Sequence, residues 1–291
     1  MRCSHPIQIQ DPNGKRGEYI SVRCGHCTAC RIEYQKNWKI RSELELKNHD
    51  YSMWIALTYD DLHLSLQNLE YEKDVKFSYL GRIGKKNSLE RDELVLFFKR
   101  FRKAIAPVKI RYMYCGEYGD KFGRPHYHVI LFGLSPDHPI FKGFLYDRKR
   151  KGYVGHVDAW PFGEFWYSEK PANLFNAEYL AKYIHKKHKG KDAERYYNDL
   201  NVNSEFFGCS NRPGIGAVKI DEFKDHYAKN PYVVVNGKKT SMPRYMKERL
   251  GKQIDDFKAS LEWANAHILK KKSGQIFNGE QQERNLKHYV K

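Results

Sequence analysis

Phe122-Gly123-Arg124-Pro125-His126-Tyr127-His128-Val129-Ile130-Leu131-Phe132-Gly133 reads as a loop that delivers the chain into a buried strand. Gly123 and Pro125 punctuate the entry, and Val129 to Phe132 form a short apolar run closed by Gly133. On a strand, residues two apart share a face, so His126 and His128 project side by side and form half of a divalent metal site. Tyr127 points to the opposite face, where its hydroxyl must find a partner. Upstream, Lys109 to Glu117 alternates and is rich in β-formers, which predicts a neighbouring strand. Pairing through a loop over residues 118–125 brings Glu117 opposite the histidines. Two imidazole nitrogens and one carboxylate leave coordination positions open for a substrate oxygen. From the residues alone, a surface glutamate at a hairpin end is the competing reading.

A second constellation lies in Ala177-Glu178-Tyr179-Leu180-Ala181-Lys182-Tyr183-Ile184-His185-Lys186-Lys187. These are good helix formers, with Asn173 or Asn176 as the expected cap. Tyr179 and Tyr183 are four apart and share a helical face, and each is followed three residues later by a lysine, Lys182 or Lys186. A cation one turn from a phenol can stabilise a phenolate or the phosphate it attacks. Core tyrosines with a solvated lysine face remain the alternative.

Together the His-x-His strand and the Tyr-x-x-Lys-Tyr-x-x-Lys helix resemble the HUH endonuclease superfamily of replication initiators. The tyrosine pair is similar to that of the two-tyrosine class found in single-stranded DNA phages, and within it to the gokushovirus (microvirus) initiators. Cys24-Gly25-His26-Cys27-Thr28-Ala29-Cys30-Arg31, Leu57-Thr58-Tyr59-Asp60, Cys115-Gly116-Glu117-Tyr118-Gly119 and Gly123-Arg124-Pro125-His126-Tyr127-His128 carry the resemblance in the same order, and it extends from Cys3 to about Arg249. It implies an α+β fold, a central antiparallel, RRM-like sheet with flanking helices. It also implies Mg²⁺ or Mn²⁺ on Glu117, His126 and His128, and a tyrosine that attacks single-stranded origin DNA. The products would be a 5′-phosphotyrosine and a free 3′-OH for rolling-circle synthesis, and the second tyrosine would serve the later cut and rejoining. Thr58-Tyr59-Asp60-Asp61 corresponds to a motif tied to DNA contact or fold support.

Composition agrees with a nucleic-acid partner. The 291 residues carry a net charge of +17 and 14% aromatic residues, including 21 tyrosines. Cations for phosphates interleaved with flat rings for bases suit a single-strand binder. No apolar run approaches the ~20 residues of a membrane span, and mean hydropathy is −0.78. Met1-Arg2-Cys3 is not followed by a signal-peptide core, so the cytoplasm is the expected compartment. No nucleotide-hydrolysing motif is visible: the glycines of Gly81-Arg82-Ile83-Gly84-Lys85 are too closely spaced for a phosphate loop. Strand separation is therefore expected from a host helicase, alongside a DNA polymerase.

Six cysteines do not imply disulfides in a reducing compartment. Cys24, Cys27 and Cys30 have Cys-x2-Cys-x2-Cys spacing, and Cys3 would complete a four-sulfur zinc site across a loop or hairpin. His5 and His26 are possible substitutes, and free thiols or an iron–sulfur cluster are the alternatives. Cys115 and Cys209 read as core or near-core thiols. Three regions are expected: residues 1–48, a cysteine-rich element and helix; 49–243, the endonuclease domain; and 244–291, an amphipathic helix with a basic tail.

Within these regions, residues 31–48 predict a helix and Met53 to Thr58 a buried strand. Residues 62–87 predict an irregular insertion, and Ser88 opens a helix with an apolar Leu94, Phe97, Phe98, Phe101, Ile105 face. Asp147 to Lys151 predicts a basic hairpin tip, Gly155 to Trp160 a strand, and Phe206 to Gly216 a glycine-rich loop. In that loop Ser210-Asn211-Arg212-Pro213-Gly214-Ile215-Gly216 has the flexible backbone and cation expected near a phosphate. Tyr232 to Ser241 predicts a hairpin turning at Asn236-Gly237. Met246, Leu250, Ile254, Phe257, Leu261, Ala264 and Ile268 predict one continuous helix, docked on the domain or paired with another protomer. A zinc-containing nucleic-acid-binding protein without catalysis, or an HUH transposase or relaxase, are the rival functions.

Overall fold

The computed structural model describes residues 3–12, 14–65, 88–119, 123–186, 191–235 and 237–268; for residues 65, 183–186 and 191–194 it describes the backbone alone. Most of the expected insertion, residues 66–87, lies outside the described residues, as do Asn236 and the basic tail from residue 269.

The elements run β1 (Ile7–Gln10), β2 (Tyr19–Val22), α1 (Thr28–Leu46), β3 (Ser52–Thr58), α2 (Asp61–Ser65), α3 (Arg91–Ala104), β4 (Arg111–Tyr118), β5 (Pro125–Phe132), β6 (Leu145–Asp147) and β7 (Gly152–Val157). There follow β8 (Trp160–Ser168), α4 (Leu174–Lys186), α5 (Lys191–Asp199), β9 (Phe206–Cys209), α6 (Ala217–Glu222), α7 (Lys224–Lys229), β10 (Val233–Val235), β11 (Lys238–Thr240), α8 (Arg244–Leu250) and α9 (Phe257–His267). The chain is thus mixed α+β. It forms two compact units, Arg41–Lys219 and Met1–Ile40 with Ile220–Lys291.

The larger unit is built on a seven-stranded sheet in the order β6-β7-β8-β3-β5-β4-β9, with every neighbouring pair antiparallel. β3 and β5 are central. Their runs Met53-Trp54-Ile55-Ala56-Leu57 and Val129-Ile130-Leu131-Phe132 are buried throughout, as strands covered on both faces must be. β5 begins differently: Pro125 and Tyr127 are buried while His126 and His128 are half-exposed. That alternation separates a core face from a functional face.

On the core face, Leu94, Phe97, Phe98 and Phe101 of α3 pack with Ile55, Leu57, Tyr127, Val129 and Phe165 of the sheet. Burying each large apolar side chain contributes roughly 1.5–3 kcal/mol. The predicted apolar stripe is therefore the core contact, while Lys99, Arg100, Arg102 and Lys103 are exposed. Tyr127 is fully buried here. Its hydroxyl lies 2.8 Å from that of Tyr59, accepts the Glu90 amide at 2.8 Å and donates to the Glu90 carbonyl at 3.0 Å. Tyr59, itself buried, also donates to the carboxylate of Glu93 on α3. In the structure Tyr59 therefore acts in fold support. α4 packs on the other face, against β4, β5 and β9.

Four expectations are corrected. Ser88 does not open α3: the helix starts at Arg91, and the Ser88 hydroxyl instead accepts the Asn203 amide at 2.8 Å. Gly155 to Trp160 is not one strand, because Val157 pairs with Trp160 across a tight turn at Asp158-Ala159. Phe206 to Cys209 is a strand rather than loop, paired with β4 at the sheet edge. A Cβ on Gly208 would lie 2.3 Å from the Tyr114 ring, so the glycine permits that strand to close on its neighbour. The helix expected over 246–268 is broken into α8 and α9 by residues 251–256, where Asp256 adopts a left-handed conformation (φ 54°). Met246, Leu250, Phe257 and Ala264 are nevertheless buried, and α9 packs against α7. The predicted hairpin over Asp147 to Lys151 is present between β6 and β7.

In the smaller unit, β1 and β2 pair as an antiparallel hairpin that joins Cys3 to Cys24. β10 and β11 form a second hairpin, with Gly237 at φ 72°. No helix among the described residues is long and apolar enough to cross a membrane.

Candidate functional site

The β4–β5 register places Glu117 directly opposite His126 and Cys115 opposite His128. Residues opposed in an antiparallel pair share a face, so Glu117 and both imidazoles converge. His126 Nε2 lies 2.7 Å and His128 Nε2 2.9 Å from the same oxygen, Glu117 Oε1. Glu117 is only 3% exposed. Burial opposes its ionisation, but the hydrogen bonds and charge of His126 and His128 outweigh it and hold the carboxyl far below the usual carboxylate range. His128 is pushed the other way: burial lowers its pKa despite the carboxylate, favouring the neutral imidazole that ligates metals.

The surroundings orient these groups. His126 Nδ1 lies 3.1 Å from the Arg124 carbonyl. Because a carbonyl only accepts, that nitrogen carries the hydrogen and a neutral His126 presents its Nε2 lone pair to Glu117. Two acceptors 2.7 Å apart require a proton or a cation to reconcile them. Arg124 is fixed in turn by Asp61 Oδ1 at 2.5 Å and the Tyr59 carbonyl at 2.9 Å. The His128 ring is stacked on Trp54 of β3, with centroids 5.0 Å apart and planes within 5°. The sequence does not reveal Trp54 as a neighbour, because nothing local says which strand lies on the far side of β5.

Helix α4 brings the phenol. Asn173 is its cap: its side-chain oxygen accepts the Phe175 amide at 2.8 Å, and Asn176 reciprocates on the Asn173 amide at 2.9 Å. The Tyr179 hydroxyl donates to Glu117 Oε1 at 2.9 Å, and its ring stands edge-on to His128. Three donors or ligands thus meet at one carboxylate oxygen. Lys182 is exposed. Tyr183 and Lys186 continue the same helix, and their side chains lie outside the described residues.

The donor set fits a divalent cation. Octahedral Mg²⁺ at ~2.1 Å from each ligand puts adjacent ligand atoms about 3 Å apart, close to the separations observed. Glu117 Oε2 and His128 Nδ1 are buried without a hydrogen-bond partner, which a carboxylate and imidazole turned towards a cation would tolerate. Glu117, His126 and His128 would hold such an ion.

A second metal-capable group lies in the smaller unit, at Cys3, Cys24, Cys27 and Cys30. Cys3 and Cys24 sulfurs are 3.5 Å apart, Cys3 and Cys27 3.8 Å, and Cys24 and Cys30 4.0 Å. A tetrahedral Zn²⁺ with ~2.3 Å bonds requires about 3.8 Å. Backbone amides of His26 and Cys27 point at Cys24 Sγ and lower its pKa. Burial works against Cys27, yet hydrogen bonds from Ser4 and Cys30 bring its pKa down to about 5. Thiolates favoured this way are metal ligands in waiting. Neither His5 nor His26 is part of the group. Cys115 is fully buried, and burial raises its pKa.

Comparison with known proteins adds an independent line. A family of replication-associated proteins of the ORF2 type matches residues 52–188, the span that holds β3, β4, β5 and α4. The chain is 29% identical to replication-associated protein VP4 of Bdellovibrio phage phiMH2K, covering 77% of this chain and 66% of that one. It is 26% identical to replication-associated protein ORF2 of Spiroplasma virus 4 (88% and 82% covered), and 27% identical to replication-associated protein ORF4 of Chlamydia phage 1 (84% and 57%).

The chain belongs to the phage replication-associated proteins. It spans just under two thirds of the first of these relatives and little over half of the third. No solved structure matches it. Every residue of the Glu117–His126–His128–Tyr179 constellation falls within the stretch that the family shares.

Proposed function

We propose that this protein initiates rolling-circle replication by nicking single-stranded origin DNA through a tyrosine. The observation that carries this reading is the Tyr179 hydroxyl at 2.9 Å from Glu117 Oε1, where both histidines converge. Mg²⁺ or Mn²⁺ bound by Glu117, His126 and His128 would supply Lewis-acid polarisation of the scissile phosphate. The chain's own residues do the rest. Trp54 and the Arg124 carbonyl hold the two imidazoles, and α4 presents the phenol at the carboxylate. A tyrosine oxygen attacks phosphorus, a new P–O bond forms, and the bond to the 3′-oxygen breaks. The phenol loses its proton and the departing 3′-oxygen takes one up. The 5′-phosphotyrosine retains the phosphodiester energy, so the ends can later be rejoined without ATP.

Tyr183, one turn along α4, is the second nucleophile in this scheme, and Lys182 and Lys186 assist by charge. Single-stranded origin DNA is the substrate, a host helicase and polymerase supply unwinding and synthesis, and the host cytoplasm is the setting. Zn²⁺ on Cys3, Cys24, Cys27 and Cys30 is structural. A binding protein without catalysis would account for the charge and cysteines but leaves Tyr179 at the carboxylate unexplained.

Metal-dependent cleavage of single-stranded origin DNA tests the reading. Wild type is expected to cleave with Mn²⁺, and Glu117→Gln and His128→Gln to lose cleavage while still binding the strand. Equal cleavage by wild type and both variants would overturn it.

A further inference from the structure

The Ser210-Asn211-Arg212-Pro213 segment takes no part in the nicking chemistry, yet it does not end in featureless solvent. It closes a groove of about 550 Å³ whose other walls are Arg102 of α3 and Ile110, Arg111 and Tyr112 of β4. Arginines from three separate elements therefore face one space. Arg111 is committed: it is held by Glu45 and donates to the Pro213 carbonyl at 2.7 Å. Among the described residues Arg102 and Arg212 have no acidic partner. Arg102 instead lies over the Tyr112 ring, 5.0 Å from its centroid, with Phe98 stacked on Tyr112 at 3.7 Å.

Two neutral donors complete the lining. Ser210 is only 9% exposed. Its hydroxyl oxygen accepts the Tyr112 amide at 3.1 Å, which leaves its own hydrogen as a donor at the groove. The Asn211 side-chain oxygen is engaged by the Cys209 thiol at 3.7 Å, which leaves its NH₂ group. Uncompensated guanidinium groups with hydroxyl and amide donors and no carboxylate facing in are the chemistry of a phosphate oxyanion.

We propose that this groove is a second contact for the DNA strand, a subsite for one backbone phosphate remote from the nicking centre. Arg111 and Glu117 are six residues apart on β4, so the subsite lies about 20 Å along that strand from the carboxylate. The inference rests on the single-stranded DNA reading above. It assigns the groove the task of holding the strand on one side of the cut while α4 acts on the other.

The test measures binding in EDTA, so it reads independently of nicking. Wild type, Arg102→Gln/Arg212→Gln and Arg102→Lys/Arg212→Lys are titrated with an oligothymidylate of about 20 nucleotides over a range of salt. Loss of two phosphate contacts is expected to make the log K against log salt slope shallower by about 1.4, since each contact on a single strand contributes ~0.7. The double-lysine protein keeps most of the slope. A control lacking Lys142 and Lys170, exposed on the opposite sheet edge, retains it.

An unchanged slope in the double-glutamine protein overturns the proposal, as does an equal loss in the control, which would reduce the effect to net charge. Thymidine monophosphate is titrated in parallel. If its binding depends on the two arginines while the strand's does not, the groove is a free-nucleotide site and the proposal fails.

Discussion

The Tyr127 hydroxyl ties three segments together, because Tyr59 and both backbone groups of Glu90 meet it inside the core. Tyr127→Phe leaves a buried amide and carbonyl short of a partner, so a loss of about 1–3 kcal/mol in stability is expected. Thermal melting should record it, with metal affinity within about twofold of wild type. Trp54 acts on the opposite face. Trp54→Leu removes the plane against which His128 is held, and Mn²⁺ affinity should fall about tenfold, the lower end of what outer-shell partners contribute; calorimetric titration checks it. Both side chains sit one residue from a ligand or one strand away, yet only Tyr127 was foreseeable. The two-residue period of a strand sends Tyr127 away from the histidines wherever β5 pairs. Trp54 reaches His128 only through the Ala56–His128 register of β3 with β5, a long-range choice no local pattern encodes.

At the scale of elements, Glu45 near the end of α1 anchors the edge of the sheet. Buried at 1% exposed, its carboxylate takes Arg111 of β4, His49 at 3.2 Å and the Gly216 amide at 2.6 Å. Burial disfavours its charge, but these donors and the Arg111 charge outweigh that and lower its pKa below the ordinary carboxylate value. A depressed folded-state pKa contributes stability that is present above the unfolded value of ~4.3 and lost as pH falls through the folded one. Melting temperature should therefore drop steeply below about pH 4 in wild type and less steeply in Glu45→Gln, which starts lower at neutral pH. An identical pH dependence in the two proteins would exclude Glu45 as a source of the acid sensitivity.

The elements that sequence misplaced share a physical cause. Val157 and Trp160 continue one apolar alternation through a two-residue turn, and the apolar stripe of α8 resumes in α9 after Asp256 turns left-handed. Periodicity reports which residues are buried; it does not report where the backbone reverses between them. The hairpin that holds Glu117 and His126 was legible because Gly123 and Pro125 punctuate it, and the Asn173 cap because its side chain acts locally.

For the whole molecule, a basic chain carries its chemistry on one unit and a cluster of four sulfurs on the other. The cluster was readable from Cys24, Cys27 and Cys30. Cys3 joins them because β1 and β2 pair, as a small hairpin between two ligands permits. Purified protein should contain one zinc equivalent, and Cys27→Ser should lose it. Hydrogen exchange should then rise in β1 and β2 while the amides of β3 and β5 keep their protection. Zinc retained in Cys27→Ser would contradict the assignment.

The central claim is that a tyrosine of α4 becomes covalently joined to DNA. Wild type, Tyr179→Phe, Tyr183→Phe and the double variant, each incubated with labelled single-stranded origin DNA and Mn²⁺, would be resolved on a denaturing gel. The account predicts a protein–DNA band in wild type and none in the double variant, with the single variants ranking the two nucleophiles. A band that persists in the double variant, or none from folded, metal-loaded wild type, would contradict it.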